Sequence, residues 1–213
     1  MKYSCILFDL DGTLVYSHEG IFWCFRYALD KMGRERPEDS DLSDCVGPPL
    51  EDSFRFKFNF PEEDALRATA HYREEYKRKG QYLCFEIPKA KEMLAELKRR
   101  GYKTALATSK AVVFAKQIVE RLGFAEYLDE IVGSGVNGEL PTKADVVAEV
   151  LRRTGEKPEN CLMVGDKAVD IIGARACGVD GVALKVGYAL EGELEGCSPD
   201  YLFDGFEELL ALL

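Results

Sequence analysis

The stretch at residues 4–13, SCILFDLDGT, constrains the fold more than any other part of the sequence. Its apolar run at residues 5–8 is typical of a strand buried on both faces, because strands of parallel sheets read as continuous hydrophobic runs. The run stops abruptly at Asp9, and Gly12 lets the chain turn away. The sequence therefore predicts a buried strand with polar side chains at its carboxyl end.

Two acids, Asp9 and Asp11, follow this strand. Side chains alternate along an extended segment, so we expect both carboxylates to project to the same side, within reach of one divalent cation or one phosphoryl group. Neighbouring carboxylates repel each other, which raises the pKa of one unless a cation lies between them. Such a pair suits a reaction in which one carboxylate attacks and the other transfers a proton. The bare pair also occurs in ordinary turns and in other metal sites.

The length and charge of the chain restrict its class. Its 213 residues suffice for one domain with a sizeable core, or for a core with a modest insertion. A formal net charge of -10 argues against a protein that binds the phosphate backbone of nucleic acids. The sequence leaves the oligomeric state open and is compatible with a monomer.

The cysteines and the apolar stretches indicate where such a protein works. Seven cysteines, odd in number and without a C-x-x-C pair, favour buried thiols in a reducing compartment over disulfides or zinc. No secretion signal is visible, and no stretch approaches the roughly 18 apolar residues of a membrane span. We therefore expect a soluble cytoplasmic protein without a membrane partner.

The hydrophobic pattern changes near residue 83. Before it, the chain is mostly helical and shows no convincing strand after the first, with Trp23 and the phenylalanines expected to form a core of their own. The predicted helices of this part cover residues 21–33, 37–46, 50–58 (where alternating phenylalanines also fit a strand) and 61–79.

After residue 83, strands and helices alternate. This order predicts right-handed β-α-β units and an α/β fold in which a parallel sheet lies between layers of helices. We predict a core domain of residues 1–14 and 84–213 and an inserted helical domain of residues 15–83. The predicted strands cover residues 102–107, 130–132, 161–164, 182–184 and 201–203, and the helices 88–100, 111–122, 142–154, 168–177 and 206–213.

Polar residues follow three predicted strands at their carboxyl ends, where open parallel α/β sheets bind their ligands. Four carboxylates, a hydroxyl and a lysine suit Mg²⁺ and a phosphate, since they offer oxygen ligands to a hard cation and donors to the anion. The candidate residues are Asp9, Asp11, Thr108, Lys143, Asp166 and Asp170, with Ser109 beside the Thr108 hydroxyl.

DLDGT after an apolar strand, followed in order by these polar segments, resembles the four motifs of the haloacid dehalogenase-like (HAD) hydrolases along the whole chain. The resemblance implies a Rossmann-like three-layer core with an inserted all-helical cap. It further implies that Asp9 is a nucleophile that forms an aspartyl-phosphate. Asp11 would protonate the leaving alcohol and later activate water.

The same resemblance implies roles for the other positions. Thr108 would bind the phosphate together with backbone N–H groups near Leu10 and Ser109, and Lys143 would hold the phosphate and restrain the nucleophile. A Mg²⁺ ion would be held by Asp9, by the Asp11 region, by Asp166 and, directly or through water, by Asp170.

Each assignment has a plainer alternative. Thr108 also suits an N-cap, and an isolated Lys143 suits a solvated surface. Asp170 also suits a surface pair with Lys167. For Lys110, a solvated position is favoured over a place at the site.

Two departures from the family pattern stand out. Tyr16 occupies a position that is often acidic, and Lys143 lacks the proline that often follows it. The roles of Tyr16 and of the nearby His18 stay open.

The helical insertion between the first two motifs resembles the phosphoglycolate phosphatase-like subgroup, and the runs VGPPLEDSF and LATSK also resemble 5′-nucleotidase-like sequences. The resemblance implies a Mg²⁺-dependent phosphomonoesterase acting on a small phosphorylated metabolite. A 5′-nucleotidase, a β-phosphoglucomutase-like phosphotransferase and a catalytically idle binding relative are the alternatives. Arg55, after the Gly-Pro-Pro break, is a candidate for the far end of the substrate, with an exposed helix surface as the alternative.

Overall fold

The computed structural model describes residues 2–135 and 139–213. Its main sheet has six strands, and every described pairing between them is parallel. The strands of the chain are β1 (Cys5–Phe8), β2 (Val15–Tyr16), β3 (Phe85–Glu86), β4 (Lys103–Ala111), β5 (Glu130–Ser134), β6 (Cys161–Gly165), β7 (Asp180–Leu184) and β8 (Tyr201–Phe203).

The order of strands across the main sheet is β5-β4-β1-β6-β7-β8, with β2 and β3 paired in a separate two-stranded sheet. The first strand is therefore central, and all four of its residues are fully buried, as its apolar sequence predicts. In register, Phe8 lies beside Leu106 of β4 and Val164 of β6. The carboxyl ends of these three strands consequently lie side by side.

Helices connect the parallel strands. The α-helices are α1 (His18–Lys31), α2 (Leu50–Asp52), α3 (Glu62–Arg78), α4 (Ala90–Arg99), α5 (Val112–Leu122), α6 (Lys143–Thr154), α7 (Ala168–Ala176), α8 (Glu193–Gly196) and α9 (Phe206–Leu212). Helices α6 and α7 pack over one face of the sheet, where Val146, Val150 and Ala174 contact Leu7 and Met163. The predicted three-layer α/β fold is confirmed, because side chains of opposite parity on β1, such as those of Ile6 and Phe8, are also fully buried.

The chain divides into two compact units, one of Met1–Tyr16 and Glu86–Leu213 and the other of Ser17–Phe85. These limits fall two residues after those predicted from the sequence. The second unit is helical, and α1 packs on α3 through Phe25, whose ring centroid lies 5.0 Å from that of Tyr72.

Aromatic side chains of the helical unit are unevenly buried. Phe25 and Phe54 are fully buried, with ring centroids 5.1 Å apart. Trp23 is 42% exposed and Phe56 is 70% exposed, so the expectation that all these aromatics form the core is wrong. The polar group of Trp23 nevertheless has a partner, because the indole Nε1–H donates to Glu75 Oε1 at 2.6 Å.

Some elements differ from the sequence prediction for local reasons. Strand β4 continues past residue 107 to Ala111, with a register shift against β5 between Thr108 and Ala111. The segment at residues 50–58 is a short helix followed by a π turn, Ser53–Lys57, which accommodates its closely spaced phenylalanines. Among the described residues, no helix combines the length and the apolar character needed to cross a bilayer.

Candidate active site

Three buried carboxylates meet at the carboxyl edge of the sheet. Asp9 follows β1, Asp166 follows β6, and Asp170 lies in the first turn of α7. One oxygen of each lies within 4.8 Å of the others. The sequence predicted that Asp9 would converge with Asp166 and Asp170, which lie more than 150 positions later, and the parallel register of β1 and β6 brings them together.

Lys143 lies between two of these carboxylates. Its Nζ is 2.7 Å from Asp9 Oδ1 and 2.8 Å from Asp170 Oδ1, and it donates to the carbonyl oxygen of Ala107 at 3.0 Å. The residue is 3% exposed, so the solvated alternative does not hold. This lysine therefore holds the side chain after β1 and the side chain of α7 in fixed positions.

Local sequence explains how Lys143 reaches this place. Thr142 caps α6 by accepting a hydrogen bond from the Asp145 backbone N–H, and the Asp145 carboxylate accepts one from the Thr142 N–H. Helix α7 approaches closely at Gly173, where a Cβ atom would lie 2.6 Å from Lys143 Cγ. The aliphatic part of the Lys143 side chain consequently packs against Gly173, and its ammonium reaches the carboxylates beyond.

Burial and mutual repulsion raise the pKa values of carboxyl groups in this cluster. Burial raises the pKa of Asp9 to about 6, with Lys143 opposing the shift and Asp170 adding to it. Burial, together with the Asp170 and Asp9 carboxylates, raises the pKa of Asp166 to about 8. Burial alone lowers the pKa of Lys143, but the Asp170 and Asp9 carboxylates raise it above its ordinary value. The group thus holds three carboxylates and one ammonium that contacts two of them, and oxygen donors of this kind fit a hard divalent cation.

Two loops confine Asp166. Its Oδ1 accepts a hydrogen bond from the Thr13 hydroxyl at 2.9 Å, and its Oδ2 accepts one from the Tyr188 backbone N–H at 2.7 Å. A Cβ atom at Gly12 would lie 2.2 Å from Asp166 Oδ2, and one at Gly187 would lie 2.1 Å from it. Both glycines are therefore required by the close approach of the backbone to this carboxylate.

Sequence reasoning did not identify Gly187 or Tyr188. They lie in a loop after β7, and a backbone N–H donor has no side-chain signature that a sequence pattern could reveal. A glycine close to the end of a parallel strand was the one available signal.

Asp11 lies outside the group of three carboxylates. Its Oδ2 accepts a hydrogen bond from Lys110 Nζ at 2.6 Å, and the two side chains are 14% and 9% exposed. The sequence predicts a metal contact in the Asp11 region, which stays a prediction, and favours a solvated Lys110. The solvated position is wrong, because Lys110 lies on the extension of β4 beyond Thr108 and pairs with Asp11.

The segment after β4 carries the second predicted motif. Thr108 is buried, and its hydroxyl accepts a hydrogen bond from the Lys110 backbone N–H at 3.2 Å. It does not cap α5, which begins at Val112 without a side-chain cap. Ser109 is exposed, and Leu10 is buried with its carbonyl oxygen accepting from the Leu14 N–H at 2.9 Å.

The remaining candidates lie near or within the helical unit. Arg55 is exposed in the π turn, with its guanidinium carbon 5.4 Å from the ring centroid of Phe56. His18 is partly buried at the start of α1, and its ring packs in a T-shaped arrangement with that of Phe22, with centroids 5.8 Å apart. Tyr16 ends β2 and is partly buried. A substrate contact by Arg55 stays a prediction.

The family model described as haloacid dehalogenase-like hydrolase matches residues 6–184, which include the acidic cluster, Lys143 and Lys110. The chain is a HAD-like hydrolase. Full-length likeness extends this assignment: the crystal structure of a predicted phosphatase from Clostridium acetobutylicum superposes with a TM-score of 0.94 and 36% identity, with all of both chains covered. This HAD-like protein is an enzyme, a phosphoric monoester hydrolase of the phosphatase type.

Two relatives are similar at comparable levels. A 5′-nucleotidase of Pseudomonas aeruginosa is 35% identical over 201 residues, covering 94% of this chain and 91% of that protein. The tyrosine-protein kinase PtkA of Mycobacterium tuberculosis is 36% identical over 183 residues, covering 86% of this chain and 62% of that protein. Relatives that are about equally similar to this chain are thus named for different reactions.

Proposed function

We propose that this HAD-like phosphatase hydrolyses a small phosphorylated metabolite through an aspartyl-phosphate on Asp9 and depends on Mg²⁺. The observation that carries the proposal is the convergence of the Asp9, Asp166 and Asp170 carboxylates, of which Asp9 and Asp170 also contact the Lys143 ammonium. Buried carboxylates in such excess destabilise a fold unless they bind a cation, which supports a functional reason for keeping them.

The donor set fits Mg²⁺. Asp9 and Asp166 would hold the ion with a backbone carbonyl of the Asp11 region, and Asp170 would contribute directly or through water. When bound, Mg²⁺ neutralises the charge of the carboxylates and of the phosphoryl oxygens.

In the first step, a carboxylate oxygen of Asp9 attacks the phosphorus of the substrate. The new O–P bond forms as the bond from phosphorus to the leaving oxygen breaks, and Asp11 gives its proton to that oxygen. Lys143 Nζ donates to Asp9 Oδ1 at 2.7 Å. Rotation of the Asp9 side chain then sets how its other oxygen, Oδ2, approaches the phosphorus. The products are the free alcohol and a phosphorylated Asp9.

In the second step, Asp11 takes a proton from a water molecule, whose oxygen attacks the phosphorus. The bond between phosphorus and Asp9 breaks, inorganic phosphate leaves, and both acids return to their starting states. The Thr108 hydroxyl, the Lys143 ammonium and the backbone N–H groups of Leu10 and Ser109 are proposed to hold the phosphoryl oxygens in both steps, because phosphoryl transfer depends mainly on positioning and charge neutralisation.

The inserted segment at residues 15–83 is proposed to act as a cap that selects the substrate, with Arg55 as a candidate contact to its far end. Among substrate classes, nucleoside 5′-monophosphates are the second candidate besides phosphoglycolate-like metabolites. They are favoured by the similarity to the 5′-nucleotidase over nearly the whole chain.

The proposal is tested by measuring phosphate release from p-nitrophenyl phosphate, phosphoglycolate, nucleoside 5′-monophosphates, pyrophosphate and β-glucose 1-phosphate. We expect release with Mg²⁺, loss of release with EDTA and recovery when Mg²⁺ is added in excess. Asp9→Asn should be inactive on every substrate. A folded protein that releases no phosphate from any of them would refute the hydrolase proposal.

The alternatives give different products in the same assay. Conversion of β-glucose 1-phosphate to glucose 6-phosphate without phosphate release would indicate a mutase. Phosphorylation of an added tyrosine peptide by ATP would indicate a transferase instead. Equal activity of the Asp9→Asn variant and the original protein would indicate that the acidic site is idle.

A further inference from the structure

In the part of the chain that the structure describes, Asp11 is held by one of its two oxygens only. Its Oδ2 lies 2.6 Å from Lys110 Nζ. Its Oδ1 is buried and has no hydrogen-bond partner among residues 2–135 and 139–213. No protein group among these residues competes for Oδ1, so Oδ1 is the oxygen of Asp11 that a bound substrate can contact.

The backbone around Lys110 is built to direct its side chain towards Asp11. Strand β4 shifts register after Thr108, and the Thr108 hydroxyl accepts a hydrogen bond from the Lys110 N–H at 3.2 Å. On the neighbouring strand, a Cβ atom at Gly133 would lie 2.5 Å from the Lys110 carbonyl oxygen. The irregular end of β4 therefore needs a glycine beside it.

The two acids after β1 are thus anchored by different lysines. Asp9 is bound by Lys143 and Asp11 by Lys110, each at 2.7 Å or less. Lys143 also contacts Asp170, whereas Lys110 comes from the segment that would bind the phosphate. Because a different lysine holds each acid, the position of the Asp9 carboxylate and that of the Asp11 carboxylate are fixed independently of each other.

We propose that Lys110 is a positioning residue for Asp11: it fixes Oδ2, so that Oδ1 is the atom that gives the proton to the leaving oxygen and later takes one from water. The inference rests on the proposed function. Lys110 takes no part in the proton transfer, and only the proton on Asp11 Oδ1 moves.

The experiment compares substrates whose leaving groups differ in their need for a proton. p-Nitrophenolate leaves readily without one, whereas an alkoxide does not. The ratio kcat/KM reports events up to the departure of the leaving group, so Lys110→Met should lower kcat/KM far more for an alkyl phosphate than for p-nitrophenyl phosphate. We expect a loss of about tenfold to about hundredfold on the alkyl substrate, within the roughly 10²–10⁴-fold that positioned proton transfer contributes.

A second readout follows the phosphoenzyme. Because Asp11 also activates water, Lys110→Met should accumulate more aspartyl-phosphate with p-nitrophenyl phosphate than the original protein does. Lys110→Arg, which keeps the charge and the donors, should restore most of the kcat/KM on the alkyl substrate. Lys98→Met is the matched control, because it removes a lysine from an ion pair with Asp129 at the opposite edge of the sheet.

Equal losses of kcat/KM on both substrates would overturn the proposal, since they would indicate general damage or a role in phosphate binding. Unchanged rates on both would overturn it as well. If Lys110→Met does not fold, the leaving-group comparison is made with Lys110→Gln, which keeps a donor but no charge. Failure of the unmodified protein on every phosphate ester would instead remove the proposed function itself.

Discussion

Lys143 compensates more buried negative charge than any other cation described at the site, because its ammonium contacts two carboxylates at once. Its burial shows why isolated sequence reasoning assigns lysines badly. A lysine on a helix is usually solvated, and only its place after a parallel strand and before α7 gives it this environment.

Lys143→Met should destabilise the protein. Removing one partner of a buried ion pair costs about 3–5 kcal/mol, because the remaining charge has no counterion. We expect the free energy of unfolding in urea, measured with EDTA present, to fall by about 3 kcal/mol or more. Lys98→Met, which breaks a half-exposed pair with Asp129, should change it by less than about 1 kcal/mol. Similar small changes in both variants would contradict the assigned burial of the Lys143 charge.

Gly187→Ala should reduce activity more than stability. The added Cβ atom would lie 2.1 Å from Asp166 Oδ2 and 2.3 Å from the Gly12 carbonyl oxygen, so Asp166 must move. Displacements of about 1 Å at a reacting centre can cost about hundredfold in rate. We expect a fall in kcat of at least about tenfold, measured on p-nitrophenyl phosphate.

Gly196→Ala is the control for this substitution. A Cβ atom there would meet nothing within 4 Å, and the residue ends the short helix α8. Equal activity of the Gly187→Ala variant and this control would show that the loop does not confine Asp166.

At the scale of elements, the contact of α1 with α3 contains a buried charge that reports on the helical unit. The Glu75 side chain is 1% exposed and is bound by the Arg78 guanidinium through two hydrogen bonds of 2.7 Å. The Trp23 indole N–H donates to the same carboxylate, and Lys79 Nζ lies 3.3 Å from the Trp23 ring centroid. The single tryptophan of the chain is thus a probe of this contact.

Acid should loosen this contact through Glu75. The Arg78 hydrogen bonds lower the pKa of Glu75, burial opposes the shift, and the Trp23 hydrogen bond adds to it. Because the folded-state pKa lies below the unfolded value, the stabilisation is present above the unfolded pKa and is lost as the pH falls through the folded one. We expect Trp23 fluorescence to change on acidification in that range.

Glu75→Gln should remove this component of the acid transition, since glutamine does not titrate. Glu74→Gln changes the neighbouring exposed glutamate and should leave the transition in place. An acid transition that is identical in both variants would assign the fluorescence change to other groups.

The core strands that are apolar and are separated by long helices were predictable from the sequence. Alternation of the two types gave β5, β6 and β8 close to their observed positions, because each β-α-β unit must bury both faces of its strand. The pairs Val15–Tyr16 and Phe85–Glu86 escaped prediction, since two residues cannot show a period. The extension of β4 through Lys110 escaped it for a different reason: a register shift depends on the neighbouring strand.

At the scale of the whole molecule, the family resemblance predicted the order of the motifs, and the sheet topology explains that order. The acids and Lys143 were predictable because carboxyl ends of parallel strands share one edge. The partners of those residues were not, because Tyr188, Gly187 and the Lys110 pairing arise from loops whose path no local pattern determines.

Binding of Mg²⁺ should stabilise the folded molecule without any substrate. A ligand that binds only the folded state adds about 2.7 kcal/mol at about 100 times its Kd. We expect a Mg²⁺-dependent rise in the thermal unfolding temperature that EDTA reverses and that Asp166→Asn loses. Asp180→Asn, at the start of β7, should retain the rise. A rise that persists in Asp166→Asn would refute the role of the acidic cluster in holding the ion.

The central strand β1 precedes both of its neighbours in the sheet along the chain, and it is therefore synthesised before them. Its neighbours in the sheet start 98 and 156 positions later, at Lys103 and Cys161. A nascent chain must therefore carry this wholly apolar strand unpaired at least until β4 has been synthesised, the circumstance in which chaperones protect a protein from aggregation.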